Sequence, residues 1–247
     1  MSTPLWVGET AETFWAVAGE PEPFPRNLRI PIANSLPLAV VSMPALHLAG
    51  VDVWMRKQGV VCGIGVDDRR LRACLVARCG QGIIFLDGSD PEDEQRFSLA
   101  HELAHFLRGY LTPRRLASER LGESVLEVLD GDRPPLHEER LHALLARVQI
   151  GFHVHLMDRS PDGNIVSDAI EEAERGADRL ALELLAPSAE VLGQARQYPP
   201  ERRREMLVRS LVEVYGLPAT LAAYYALILA PKPEKGGSLI RRIGIAT

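Results

Sequence analysis

Apolar positions along the chain change period several times, and each change marks an element. Between residues 60 and 87 the runs "VVCGIGV", "RLRACLVARC" and "GIIFLDG" are β-branched or apolar, with "DDRR" and "GQG" between them. Such runs bounded by turn residues predict the strands of a small antiparallel sheet over 60–87. Upstream, "SMPALHLAGVDVWMRKQ" at 42–58 predicts a helix, with Ser42 as cap, Pro44 in the first turn and Gly59 ending it. Residues 1–40 alternate short helical patches with Pro21, Pro23, Pro25, Pro31 and Pro37, which reads as an arm wrapped on the body. After the sheet, Ser89 or Asp90 can cap a helix over 91–109, with Pro91 first and acids in the first turn.

Further on, "DGDRPP" separates two charged, leucine-spaced helical segments within 114–147. "VQIGFHVHLMDRSPDGN" at 148–164 reads as a strand followed by an Asp162-Gly163 turn. Helical periodicity then covers 167–186, 188–197, 201–215 and 218–229, before a Gly- and Lys-rich end. The predicted class is α+β, a small antiparallel sheet on one side of a mostly helical body. Its units are an N-terminal arm (1–59), a core (60–190), a C-terminal helical region (191–230) and a tail (231–247).

Composition narrows the function classes. A chain of 247 residues that is 46% hydrophobic buries a core without metal or disulfide staples. The formal charge of −5 makes no electrostatic case for nucleic acid, and "ERRRE" at 201–205 is a solvated helix face. Cys62, Cys74 and Cys79 are an odd count in apolar stretches, with no CxxC pair, and read as reduced thiols of a cytoplasmic protein. The first residues carry acids and no basic region, unlike a signal peptide. The longest apolar run, 217–231, is short and Ala-rich for a bilayer span and reads as a buried helix.

The candidate chemistry sits in "RFSLAHELAHFLRGY" at 96–110. On a helix, His101 and His105 project from one face, and two neutral imidazoles one turn apart are good ligands for zinc. Glu102 lies beside the pair and not within it, where it can take a proton from a metal-bound water. An H-E-x-x-H string arises by chance in roughly 2% of such chains, so the motif needs context. A closed account requires a third ligand. His153 and His155 would share one face of a strand, but beside Phe152 and Leu156 they read more readily as structural. The helix 167–186 is the better source: Glu174 and Asp178 are four apart, and Ala177 and Ala181 let another helix approach closely. Asp178 could then accept the second N–H of a ligating histidine and fix its tautomer. Glu171, Glu172 and Glu183 are acids on the same helix, and spacing alone does not choose among them.

Two blocks carry a resemblance. "GIIFLDGSDPEDEQRFSLAHELAHFL" and "EAERGADRLALELLAP" together resemble the ImmA/IrrE family of zinc metallopeptidases, at family level over about 60–190. The resemblance implies a zincin-like core, zinc as cofactor, and a third ligand thirteen residues before the proline of the second block. Counted back from Pro187, that residue is Glu174. The acid-then-Asp spacing is also similar to that of gluzincins, which supports Asp178 as the histidine's partner. Two departures stand out. The 69-residue interval from His105 to Glu174 is longer than in compact members, so 111–166 reads as a helical insertion over or beside the cleft. The first sixty residues do not look like a fused helix-turn-helix repressor domain.

The chemistry expected is peptide-bond hydrolysis at zinc held by His101, His105 and Glu174, with Glu102 as general base. A second electrophile for the oxyanion is chemically desirable, and Tyr110, His153, His155, Tyr224 and Tyr225 are the candidates. The strand "GIIFLDG" could hold an extended substrate at a sheet edge. By resemblance the partner would be a protein substrate such as a helix-turn-helix repressor, cleaved in a stress response. The rival class is a non-proteolytic regulator that binds a partner or DNA. "LVEVYGLPATLAAYYALIL" mimics a helix–Gly–helix DNA reader, yet lacks a basic patch and reads as packing.

Overall fold

The computed structural model describes residues 4–63, 68–137, 139–140, 150–158 and 168–230. Within these, the chain builds a four-stranded sheet with helices on both faces, an α+β architecture as the sequence predicts. The strands are β1 (Leu38–Met43), β2 (Leu71–Arg78), β3 (Gln81–Asp87) and β4 (His153–Asp158), in the order β1-β3-β2-β4. β2 is antiparallel to both neighbours, but β1 runs parallel to β3, so the sheet is mixed.

The expected all-antiparallel sheet over 60–87 is corrected in one further respect. Val60–Gly63 form no strand, and 64–67 lie outside the described residues. The edge place goes to β1, whose "LAVVSM" was read partly as arm and partly as helix cap. The β-branched pair Val40-Val41 pairs with Ile84 and Phe85 across a long crossover, a preference invisible to local periodicity. The following helix, α3 (Leu48–Lys57), therefore starts six residues later than Ser42 suggests.

Alternation along β2 divides the interior. Leu75 and Ala77 face one core and Cys74 and Val76 the other. The smaller core lies under α3, where Val51 and Met55 meet Phe85. The larger lies between the sheet, α1 (Leu5–Ala18) and α4 (Glu92–Ala104) on one side, and α7 (Asp168–Leu185) beyond. Leu99 and Leu103 of α4 and Ala177, Leu180 and Ala181 of α7 are buried there; the small residues let the two helices come close. α1, α2 (Arg29–Ser35) and the C-terminal helices α8 (Ser188–Ala195), α9 (Arg203–Glu213) and α10 (Ala219–Leu229) share this core through Val7, Phe14, Ile32, Val191, Leu211 and Ala226, with Tyr215 between the last two helices. The helix–Gly–helix unit thus packs as a lid on the core. No helix among the described residues is long and apolar enough to cross a membrane.

The predicted helix 91–109 does not stay α-helical. Past Ala104 it widens into a π-helical turn, His105–Leu111, before α5 (Thr112–Leu121) and α6 (Val125–Leu129). π-turns are rare and cluster at functional sites. The start of the long interval is anchored: Arg114 makes a two-pronged pair with Asp130 at 2.7 and 3.1 Å, and Asp130 also accepts the Cys79 amide in the β2–β3 turn. The rest of the expected helical insertion is not all helix: its residues 153–158 form β4 and join the sheet beside β2. Residues 138, 141–149 and 159–166, with the Asp162-Gly163 turn, lie outside the described residues, as does the tail 231–247.

Candidate metal centre

His101 sits in the last turn of α4, His105 opens the π-turn, and Glu174 lies nearly two turns into α7. Their ligand atoms converge. Nε2 of His101 and Nε2 of His105 are 3.1 Å apart; Glu174 Oε2 is 3.3 Å from the first and Oε1 is 3.4 Å from the second. Four donors at ~2.05 Å around a tetrahedral ion sit about 3.3 Å from one another. Two imidazoles and a carboxylate at this spacing fit a zinc-type cation by donor chemistry and by distance. Manganese or iron would accept the same N,N,O set.

Each donor is held from behind. Nδ1–H of His101 donates to Asp178 Oδ1 at 3.0 Å, which fixes the tautomer that turns Nε2 inward. Burial alone would lower the His101 pKa, but Asp178 and Glu174 outweigh it and raise it to about 9. Burial pushes His105 below its ordinary value, with Glu174 pulling the other way. Burial would likewise raise Glu174, yet hydrogen bonds from His101, His105 and His155 hold it well below the carboxylate range.

Glu102 is fully buried and sits beside the donor set, its carboxylate 2.9 and 3.0 Å from Nδ1 of His155. His155 comes from β4, whose alternation aims it at α4, and its Nε2 lies 2.9 Å from Glu174 Oε1. Burial disfavours charge on this ring, but Glu102 and Glu174 raise its pKa to about 10. Sequence reasoning had His155 only as one name among ligand and electrophile candidates. The signal was the His-x-His alternation, and what it lacked was the knowledge that β4 borders α4.

The other candidates lie elsewhere. Tyr110 accepts a hydrogen bond from the Gly80 amide at 2.8 Å, and Tyr225 donates to Ala186 and Glu183 at the end of α7. Tyr224 is exposed. His153 packs on Tyr110 and against Gly109 of the π-turn, and burial lowers its pKa to about 4. Another cluster, Cys79, Asp130 and Asp132, has its acids engaged by Arg114 and Arg78 and is a poor cation site.

A buried histidine pair from α4 and the π-turn thus faces a carboxylate from a second helix beside a mixed sheet, a group of side chains that could hold a metal ion. Residues 65–123 match the family model Peptidase_M78, the IrrE N-terminal-like domain, a similarity over that segment that supports the ImmA/IrrE resemblance. The match covers the first of the two sequence blocks, including "HELAH". No curated protein and no solved structure matches the chain.

Proposed function

We propose that the protein is a zinc-dependent endopeptidase with Glu102 as its general base. The observation that carries this reading is the convergence of His101, His105 and Glu174 at tetrahedral-edge spacing with a buried carboxylate beside them. When bound, the cation supplies Lewis acidity, acidifying water toward pKa ~7 and polarising a carbonyl. The chain's own groups do the rest. Asp178 holds His101 in its ligating tautomer. Glu102 takes the proton of the attacking water as its oxygen bonds to the scissile carbon, then delivers that proton to the amine as the C–N bond breaks. Burial of Glu102 keeps bulk water from competing for that proton.

An extended peptide is the form of substrate that suits the sheet. β3 is hydrogen-bonded on both sides, so the edge expected on "GIIFLDG" moves to β4, which pairs only with β2 among the described residues. A flexible loop of a protein could add beside β4 by main-chain bonding. Family analogy points to a helix-turn-helix transcriptional repressor as that protein, making this a regulatory protease.

Metal analysis of zinc-reconstituted protein, with cleavage of the candidate repressor, tests the reading. Wild type and Glu102→Gln are expected to hold one equivalent of zinc, and His101→Ala to lose it. Cleavage should fall ~10²–10⁴-fold in Glu102→Gln. Absence of stoichiometric metal in wild type rejects the enzyme in favour of a partner-binding regulator. Undiminished cleavage by Glu102→Gln rejects Glu102 as base.

A further inference from the structure

Resting on the metallopeptidase reading, we propose that His155 is the second electrophile of the site, a hydrogen-bond donor to the oxyanion and not a fourth metal ligand. His155 belongs to the group of donors that lie within 4.8 Å of one another, so ligation must be weighed first. A ligating imidazole binds through a lone pair that lies in its ring plane, with the ion ~2.0–2.1 Å from the nitrogen. The rings of His105 and His155 are stacked, 3.6 Å between centroids and inclined by only 18°. Planes so placed meet roughly 10 Å from the rings, far beyond any ligand bond. One ion cannot lie in both planes. His101 and His105, by contrast, are inclined by 59° with their Nε2 atoms 3.1 Å apart, so their lone pairs can converge. His105 belongs to the converging set, and His155 is excluded from it.

What His155 does have is two ring nitrogens aimed at two carboxylates. Nδ1–H donates to Glu102, the base, and Nε2–H to Oε1 of Glu174, the ligand. The first contact holds the base in register. The second places a donor at the border of the donor set, where a scissile carbonyl oxygen must come to be polarised. As the water oxygen bonds to carbon, the carbonyl π pair moves onto that oxygen. Nε2–H can then turn its hydrogen bond from Glu174 to the new oxyanion, and return it when the C–N bond breaks. No proton is consumed at His155 over the cycle. Of the other four electrophile candidates, Tyr110 and Tyr225 have hydroxyls hydrogen-bonded elsewhere, Tyr224 is exposed, and the His153 ring packs on Tyr110 with its Nε2 buried and unpartnered. Among the described residues, His155 alone of the five is hydrogen-bonded to both Glu102 and Glu174.

The test uses the cobalt-loaded protein and acetohydroxamate, a small oxyanion-bearing chelate. Cobalt affinity, by competition with a chromophoric chelator, and the visible absorption of the cobalt protein report ligation. Acetohydroxamate affinity reports the donor. His155→Phe and His155→Gln should still bind one equivalent of cobalt with unchanged band intensity, while His105→Gln loses the band. Their affinity should be lowered by no more than the loss of about 10–100-fold expected when Glu174 loses a hydrogen-bond partner. Acetohydroxamate should bind His155→Phe at least 10-fold more weakly, and His155→Gln, which keeps an N–H donor, should recover part of the loss. Cobalt band intensity that falls in the His155 variants as in His105→Gln overturns the proposal in favour of ligation. Acetohydroxamate affinity unchanged in both variants overturns it too. Wild type that binds no cobalt sinks the metallopeptidase reading itself, a separate result.

Discussion

Two carboxylates one helical turn apart have opposite tasks in this site. Glu174 turns its oxygens to the imidazoles, while Asp178 stands behind His101 and takes its Nδ1–H. Removing such an outer partner typically costs 10–100-fold in metal affinity, because the ring loses its fixed tautomer and orientation. Asp178→Ala should therefore weaken zinc binding by about 10–100-fold in a chelator competition, whereas Glu171→Gln, an exposed acid on the same helix, should leave it unchanged. At this scale much was legible. Helix spacing puts His101, His105 and Glu102 in place, and the i,i+4 rule pairs Glu174 with Asp178. His155 was not, because alternation says which strand residues share a face but not which helix that face meets.

Elements of this fold are fitted to one another at a few close approaches. Gly82 of β3 lies under the π-turn: a Cβ there would come 2.8 Å from Leu38 and 2.9 Å from the Phe106 ring. Phe106 is fully buried and directly follows His105, so a methyl group at 82 must displace it. Gly82→Ala should cost about 1–3 kcal/mol by overpacking, read as a lower urea midpoint at unchanged m. The Arg114–Asp130 pair ties α5 to the β2–β3 turn. Asp130→Ala leaves a buried guanidinium and an orphaned Cys79 amide, and should cost about 3–5 kcal/mol in the same measurement. Neither constraint can be read locally. The π-turn carries no periodic signature distinct from an α-helix, and β1 was misread because its stabilising partner β3 is about forty residues away.

Across the whole molecule, cation binding and fold stability are linked. A cation that binds the assembled donors and not the unfolded chain adds about 2.7 kcal/mol at a free concentration 100 times its Kd. Thermal unfolding of the wild type should move upward with added zinc and back with EDTA, and the shift should vanish in His101→Ala. The α+β class and most helices were legible because they follow from local period. The mixed order of the sheet was not, since it depends on which distant strands meet.

Trp6 of α1 lies against Gly176 of α7, two residues past Glu174, and the Arg108 guanidinium of the π-turn stacks 3.3 Å above its indole. One ring of α1 thus clasps the helix that brings Glu174. During synthesis, α4 leaves the ribosome long before α7, carrying His101 and Glu102, with His105 next in the chain, but without Glu174. The donor set of His101, His105 and Glu174, with Asp178 behind it, is therefore complete only once α7 has been made and has packed against α4.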